Sequence, residues 1–304
     1  MQIKGYAPEI LEKMERLSDI LINIGQISFL KQRLSLYGGT ALNLVYMEEP
    51  PRLSIDIDLN YRHINNEDWG EVRSKVDQYI KDILDKLRYS DKDIRIQTTY
   101  PLTRFILKYL NRENKKDSIE IEIGYLRRIP DLRSDTFITF THLFSDEKIE
   151  LLTPSPEELF ANKFCTMLSR NKDRRNLRDV FDVKTISNLK FKRSLFLDLV
   201  MIEGLMHELD LFNINLISVK GFEQQLQNLI ISEINIKDVE NEAFSFAKGV
   251  ITDVKDKRWD EFRKRFNRDG VIDFKYFNNP EIINPNIEQH PQLKWLIKNK
   301  KKVD

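Results

Sequence analysis

The sequence predicts an α+β protein: a mixed strand-and-helix first half at residues 1–152, followed by a mainly helical second half at residues 153–304. Three observations carry this. Strict alternation of apolar and polar residues at Arg52–Asn60, and again near Ser118–Tyr125, marks strands buried on one face. Strands and helices in that half follow no regular alternation, the order of an α+β rather than an α/β arrangement. Beyond Thr153-Pro154-Ser155-Pro156, nearly every apolar pattern has the helical period.

Composition narrows the class. A chain of 304 residues holds one large domain or two ordinary ones. The 49 Lys+Arg and 48 Asp+Glu nearly cancel, which excludes a bulk polycation or an acidic disordered tail, so any polyanion site has to be local. Ten glycines and ten prolines are few for this length and argue against loop-rich, all-β or collagen-like chains. The single Cys165 excludes an intrachain disulfide or a cysteine-based zinc cluster, and its apolar helical surroundings make it a small buried hydrophobe. Met1–Ile10 has no apolar signal region and no stretch reaches the length of a membrane span, so a reducing cytoplasm is the expected location.

The elements follow in order. Ile10, Leu11, Met14, Leu17, Ile20, Leu21 and Ile24 give one face of an amphipathic helix running from Glu9 towards Leu34. Leu34 and Leu36 read as a short strand entering Gly38-Gly39, with Thr40 capping the helix that begins Ala41-Leu42. Arg52–Asn60 is a strand with Leu53, Ile55, Ile57 and Leu59 on one side and Ser54, Asp56, Asp58 and Asn60 on the other. A helix is expected near Glu67–Leu87. Strand-like runs follow at Ile94–Thr99, Thr103–Leu110, Ser118–Tyr125, Phe137–Phe140 and Lys148–Leu152. Ser155, Pro156 and two acids start a helix. Helices are then expected at Leu159–Leu168, Leu177–Leu189, Ser194–Glu208, Gly221–Ile231 and Val239–Phe266, with an irregular tail from Asn278 to the Lys298–Lys302 cluster.

Three constellations carry chemistry. Asp56 and Asp58 share a strand face, about 7 Å apart along the backbone. Their repulsion becomes a site if a hard divalent cation such as Mg²⁺ lies between them; without one, they are simply an acidic solvent face. The Gly38-Gly39 turn lets backbone N–H groups approach a phosphate, and the next helix N-terminus adds favourable charge; a plain turn is the rival reading. Glu122 is the preferred third carboxylate, with Glu120 the alternative, as both alternate with Ile119, Ile121 and Ile123. In the second half, Lys163 falls within an apolar stripe, where it snorkels or meets a phosphate. Asp179 and Asp182 lie on the apolar side of the next helix and need cations, for which Lys163 and Arg170 are candidates. Lys163–Arg193 holds ten Lys/Arg against three acids, the localised basic segment that the overall balance requires of a polyanion site.

Gly38-Gly39-Thr40-Ala41-Leu42, Arg52-Leu53-Ser54-Ile55-Asp56-Ile57-Asp58-Leu59, Glu122-Ile123-Gly124-Tyr125, and Lys163 with Arg178-Asp179-Val180-Phe181-Asp182 together resemble the AbiEii/AbiGii abortive-infection toxins. The match runs from about Tyr37 to Val183. That family belongs to the DNA polymerase β-like nucleotidyltransferase superfamily, which implies a small mixed sheet flanked by helices and then a helical C-terminal domain. The resemblance also implies Mg²⁺, or Mn²⁺, held by Asp56 and Asp58, to which the strand pattern adds Glu122 as the preferred third ligand. Gly38, Gly39, Thr40 and Ser54 would border the triphosphate of an NTP, Lys163 would contact its phosphates with Arg170 and Asp182 nearby, and Asp179 would act near the acceptor or as a further essential acid. Thr40 stands where the superfamily turn usually has serine. The implied activity is nucleotide transfer to an acceptor such as tRNA by the toxic member of a toxin–antitoxin pair, with a cognate antitoxin as partner.

Two rival functions differ in class. A metal-dependent nuclease pairs an acid with a lysine two residues on, which the Ile119–Tyr125 strand lacks. A non-catalytic nucleic-acid or antitoxin-binding module would have a degenerate site, against which Ser54, Asp56, Asp58 and Lys163 are all present.

Overall fold

The computed structural model describes residues 5–64, 67–170, 176–216, 226–231, 233–256 and 258–300. The chain divides into two compact units, Met1–Arg128 with Asp135–Pro154, and Ile129–Ser134 with Ser155–Asp304.

The first unit is built on a mixed sheet of seven strands among the described residues: β1 (Leu34–Tyr37), β2 (Asp56–Tyr61), β3 (Ile94–Thr99), β4 (Leu102–Leu110), β5 (Lys116–Gly124), β6 (Thr136–Thr141) and β7 (Lys148–Thr153). Their order is β3-β4-β5-β2-β1-β7-β6. The β2–β5 and β1–β7 pairs are parallel and the others antiparallel. Ile57, Leu59 and Tyr61 of β2, Ile119, Ile121 and Ile123 of β5, and Phe105 and Leu107 of β4 are buried, as the alternation requires. Each such side chain contributes about 1.5–3 kcal/mol by leaving water. Helices α1 (Pro8–Gln26) and α4 (Trp69–Lys86) cover this face: Lys13 donates to the Ser118 carbonyl at 2.6 Å, and the Thr103 hydroxyl donates to Asp77 at 3.2 Å. Between them lie the short α2 (Ser28–Lys31) and α3 (Gly38–Tyr46).

Two expectations change here. β2 begins at Asp56 rather than Arg52: its ladder opens with Asp56 beside Glu120 of β5, and β1 joins it only at Asp58, opposite Tyr37. Leu53, Ser54 and Ile55 run as a connection, so Ser54 lies ahead of the strand. Thr40 is not a helix cap: α3 starts at Gly38 with Tyr37 at the N-cap position, and the Thr40 hydroxyl, inside the first turn, donates to the Asp56 carbonyl.

The second unit is helical, with α5 (Pro156–Ser169), α6 (Leu177–Ser187), α7 (Arg193–Met206), α8 (Ile236–Asp256), α9 (Trp259–Asp269) and α10 (Pro291–Lys300). Ser155 caps α5 by accepting from the Glu158 N–H at 3.2 Å, with Pro156 at the first helical position. Asn176 caps α6 through the Arg178 N–H. Phe164 packs edge-on against Phe196, their ring centroids 5.9 Å apart, and Cys165 is buried beside them.

The continuous helix expected over Val239–Phe266 is two helices, since Arg258 takes a left-handed conformation at φ 63° and interrupts the hydrogen-bond ladder. The tail after Asn278 is ordered rather than irregular. Buried Asp198 accepts from the N–H groups of Asn278 and Asn279 at 3.0 and 2.9 Å, and Ile283, Ile287, Leu293 and Leu296 are buried. Pro291 then opens α10. Residues 221–225 of the expected Gly221–Ile231 helix, Lys172–Arg175 of the basic segment, and Lys301 and Lys302 lie outside the described residues.

Candidate active site

In the first unit the local chain path brings most of the expected residues together. β1 runs antiparallel to β2, so the turn that ends β1 lies beside the start of β2. Gly38 adopts φ +70°, and a Cβ there would overlap the Asp58 carboxylate. Only glycine combines that dihedral with so close an approach. A Cβ at Gly39 would stand 2.6 Å from the Ser54 hydroxyl and 3.0 Å from a guanidinium nitrogen of Arg52. The Ser54 N–H donates to the Asn43 side chain of α3 at 2.6 Å, and Thr40 fastens the same helix to Asp56. Gly38, Gly39, Thr40, Ser54, Asp56 and Asp58 thus form one contiguous construction.

Glu122 belongs to the same face. Parallel register sets Asp56 beside Glu120 and Asp58 beside Glu122. Burial, then the charge of Asp58, pushes the Glu122 carboxyl above its ordinary pKa, while Arg104 pulls the other way. Arg104 of β4 lies opposite Glu122, donates to it, and has its Nε 3.5 Å from Glu120.

Among the described residues no three His, Cys, Asp or Glu side chains are grouped to hold a metal ion by themselves. Mg²⁺ is commonly bound through one or two carboxylates with substrate phosphates and water completing its shell. A carboxylate pair next to a glycine turn where a Cβ has no room fits such an ion arriving with a polyphosphate. It does not resemble a closed structural cage.

In the second unit the two buried acids have the cations they need. Lys163 of α5 donates to Asp182 of α6 at 2.8 Å, with side-chain exposures of 13% and 2%. Arg170 pairs with Asp179. Two further cations of the basic segment also have acidic partners in space. Lys184 lies 3.7 Å from Glu242 and Arg193 lies 2.6 Å from Asp253, both acids contributed by α8.

Sequence reasoning missed Arg52, Asn43 and Arg104. Arg52 is buried, an unusual environment for arginine, and it precedes Ser54 by two residues; that spacing is its only signal in the sequence. Arg104 had none, because its meaning depends on the register of β4 against β5.

A profile of the nucleotidyl transferase AbiEii toxin family, type IV toxin–antitoxin system, matches residues 20–277. Among solved structures, the chain is similar to MenT4, a nucleotidyltransferase toxin from Mycobacterium tuberculosis H37Rv. The TM-score is 0.58 at 13% identity, covering 94% of this chain and 95% of that one, which establishes likeness of fold. An antigenic nucleotidyltransferase-like protein from Paracoccidioides brasiliensis also aligns, at 19% identity over 58% of this chain and 76% of the other, with a TM-score of only 0.36. No curated protein sequence matches.

Proposed function

Since the chain belongs to the nucleotidyl transferase AbiEii toxin family of type IV toxin–antitoxin systems, we propose that it moves a nucleotide from an NTP to an RNA acceptor, tRNA being the first candidate, and thereby blocks growth. The observation that most supports this is the fit of Gly38 against Asp58, which makes the phosphate-approachable turn and the acidic strand a single constellation.

Asp56 and Asp58 would hold the divalent cation, with Glu122, beside Asp58 on the neighbouring strand, as third ligand. When bound, Mg²⁺ supplies positive charge to the transferring phosphate and to the departing pyrophosphate. The Gly38-Gly39 backbone and the Ser54 hydroxyl border the triphosphate. Thr40 has a positioning part, because its hydroxyl fixes the first turn of α3 to Asp56. The acceptor hydroxyl oxygen attacks the α-phosphorus, the bond from that phosphorus to the α,β-bridging oxygen breaks, pyrophosphate leaves with the bond's electrons, and the hydroxyl proton passes to water. The first compact unit, residues 1–128 with 135–154, is the nucleotidyltransferase domain, and the second is a helical domain. Lys163 contributes a phosphate contact with Arg170 and Asp182 nearby, and Asp179 is a further essential acid. A toxin acting on RNA works in the cytoplasm, restrained by its antitoxin. Among the described residues no helix is long and apolar enough to cross a membrane.

Purified protein incubated with labelled NTPs, Mg²⁺ and total tRNA should label RNA. Asp56→Ala and Lys163→Ala should each abolish labelling, and Asp56→Ala should relieve growth arrest on expression. Labelling that persists in Asp56→Ala, or its absence from every RNA under conditions where the protein arrests growth, would reject the function.

A further inference from the structure

Three strands align a row of charges across the acidic face. Arg104 of β4 stands opposite Glu122 of β5, and Glu122 stands beside Asp58 of β2. Residues in register on neighbouring strands project from the same face. Two residues along the same strands, Glu120 neighbours Asp56, and the guanidinium lies against both acids of β5. Its two contacts are unequal. One terminal nitrogen donates to Glu122, whereas Nε sits 3.5 Å from Glu120, buried and without a hydrogen bond. A fork able to grip two acceptors grips one. The Arg104 side chain is 36% exposed, which leaves it room to swing, and a guanidinium cannot give up a carboxylate by losing its proton.

Resting on the metal-dependent function above, we propose that Arg104 is a positioning residue that takes the place of a cation at Glu122. It offsets the acidic row before metal binds and releases Glu122 when metal arrives. Arg104 therefore competes with the divalent ion, and removing its charge tightens metal binding through Glu122.

The test uses the full-length protein and Mn²⁺, with free Mn²⁺ followed by its electron paramagnetic resonance signal. Arg104→Gln should bind Mn²⁺ about fivefold more tightly than wild type, the scale expected of a partly exposed ion pair. The gain should vanish when Arg104→Gln is introduced into Glu122→Gln. Unchanged or weaker binding in Arg104→Gln would overturn the proposal, because the arginine would then merely support the sheet. A gain that survives in the Glu122→Gln background would also overturn it, since bulk charge and not Glu122 would be responsible. Should Arg104→Gln not fold, Arg104→Met, which removes the charge but keeps an apolar stem of similar reach, should show a gain of the same sign, and no gain there overturns the proposal. Wild type that binds no Mn²⁺, or binding unaffected by Asp58→Asn, rejects the metal site itself and this competition with it, a result distinct from normal binding that ignores Arg104.

Discussion

Gly38 carries two requirements at one Cα: a left-handed backbone and a carboxylate where a side chain would begin. An alanine there costs about 1–2 kcal/mol in backbone strain alone. It must also push Asp58 away from its place on β2. Gly38→Ala should therefore lower the urea midpoint and, if folded, reduce nucleotide transfer about a hundredfold, the scale of a ~1 Å displacement of a catalytic group. A folded variant with full activity would show that the close approach of Gly38 and Asp58 has no part in catalysis. The sequence marks this glycine pair as special, but which carboxylate it touches follows only from β1 and β2 being antiparallel, with Tyr37 opposite Asp58.

At the scale of elements, patterns with a purely local cause match the structure best. Ser155 and Pro156 begin α5 because the serine oxygen accepts a helix N–H that nothing else satisfies and proline needs no N–H at that position. Ser155→Ala should accordingly cost about 1 kcal/mol, seen as a lower urea midpoint with unchanged slope. A midpoint equal to wild type would mean that packing alone starts this helix. The isoleucines of β5 alternate inward for an equally local reason. Strand and helix ends are less legible. The alternation from Arg52 onward is continuous, yet ladder pairing begins only where β1 and β5 supply partners. The apolar period crosses Arg258 without a break although the backbone there turns left-handed. The tail beyond Asn278 lacks a long pattern and is ordered by partners distant in sequence, such as Asp198.

Over the whole molecule, opposite charges that nearly cancel in number also meet in space. In Lys163–Arg193, Lys163 and Arg170 pair with Asp182 and Asp179 of the same segment, and Lys184 and Arg193 with Glu242 and Asp253 of α8. Ionisation also sets how stability varies with pH. Asp77 of α4 is pushed above the ordinary carboxyl range by burial, against hydrogen bonds from Tyr125 and Thr103. The folded protein thus holds the Asp77 proton more firmly than the unfolded chain. The stabilisation from this residue is complete below the unfolded pKa of about 3.9 and is lost as pH rises through the raised folded value. Asp77→Asn, which stays neutral, should raise the urea midpoint at about pH 7 and lose that advantage near pH 3. An equal difference at both pH values would mean that shape, not charge, separates the two side chains.

By itself the sequence determined what local physics encodes: an α+β first half and a helical second half, the inward isoleucines, the Ser155 cap, and Gly38, Gly39, Ser54, Asp56 and Asp58 as a motif. Periodicity and capping act over a few residues, so a few residues reveal them. The tertiary structure decided which groups face each other. It set Arg104 across from Glu122, committed the Thr40 hydroxyl to Asp56, and gave Lys184 and Arg193 their partners on α8. Those pairings depend on strand register and helix packing between segments tens of residues apart, and the charge of a single segment carries no record of them.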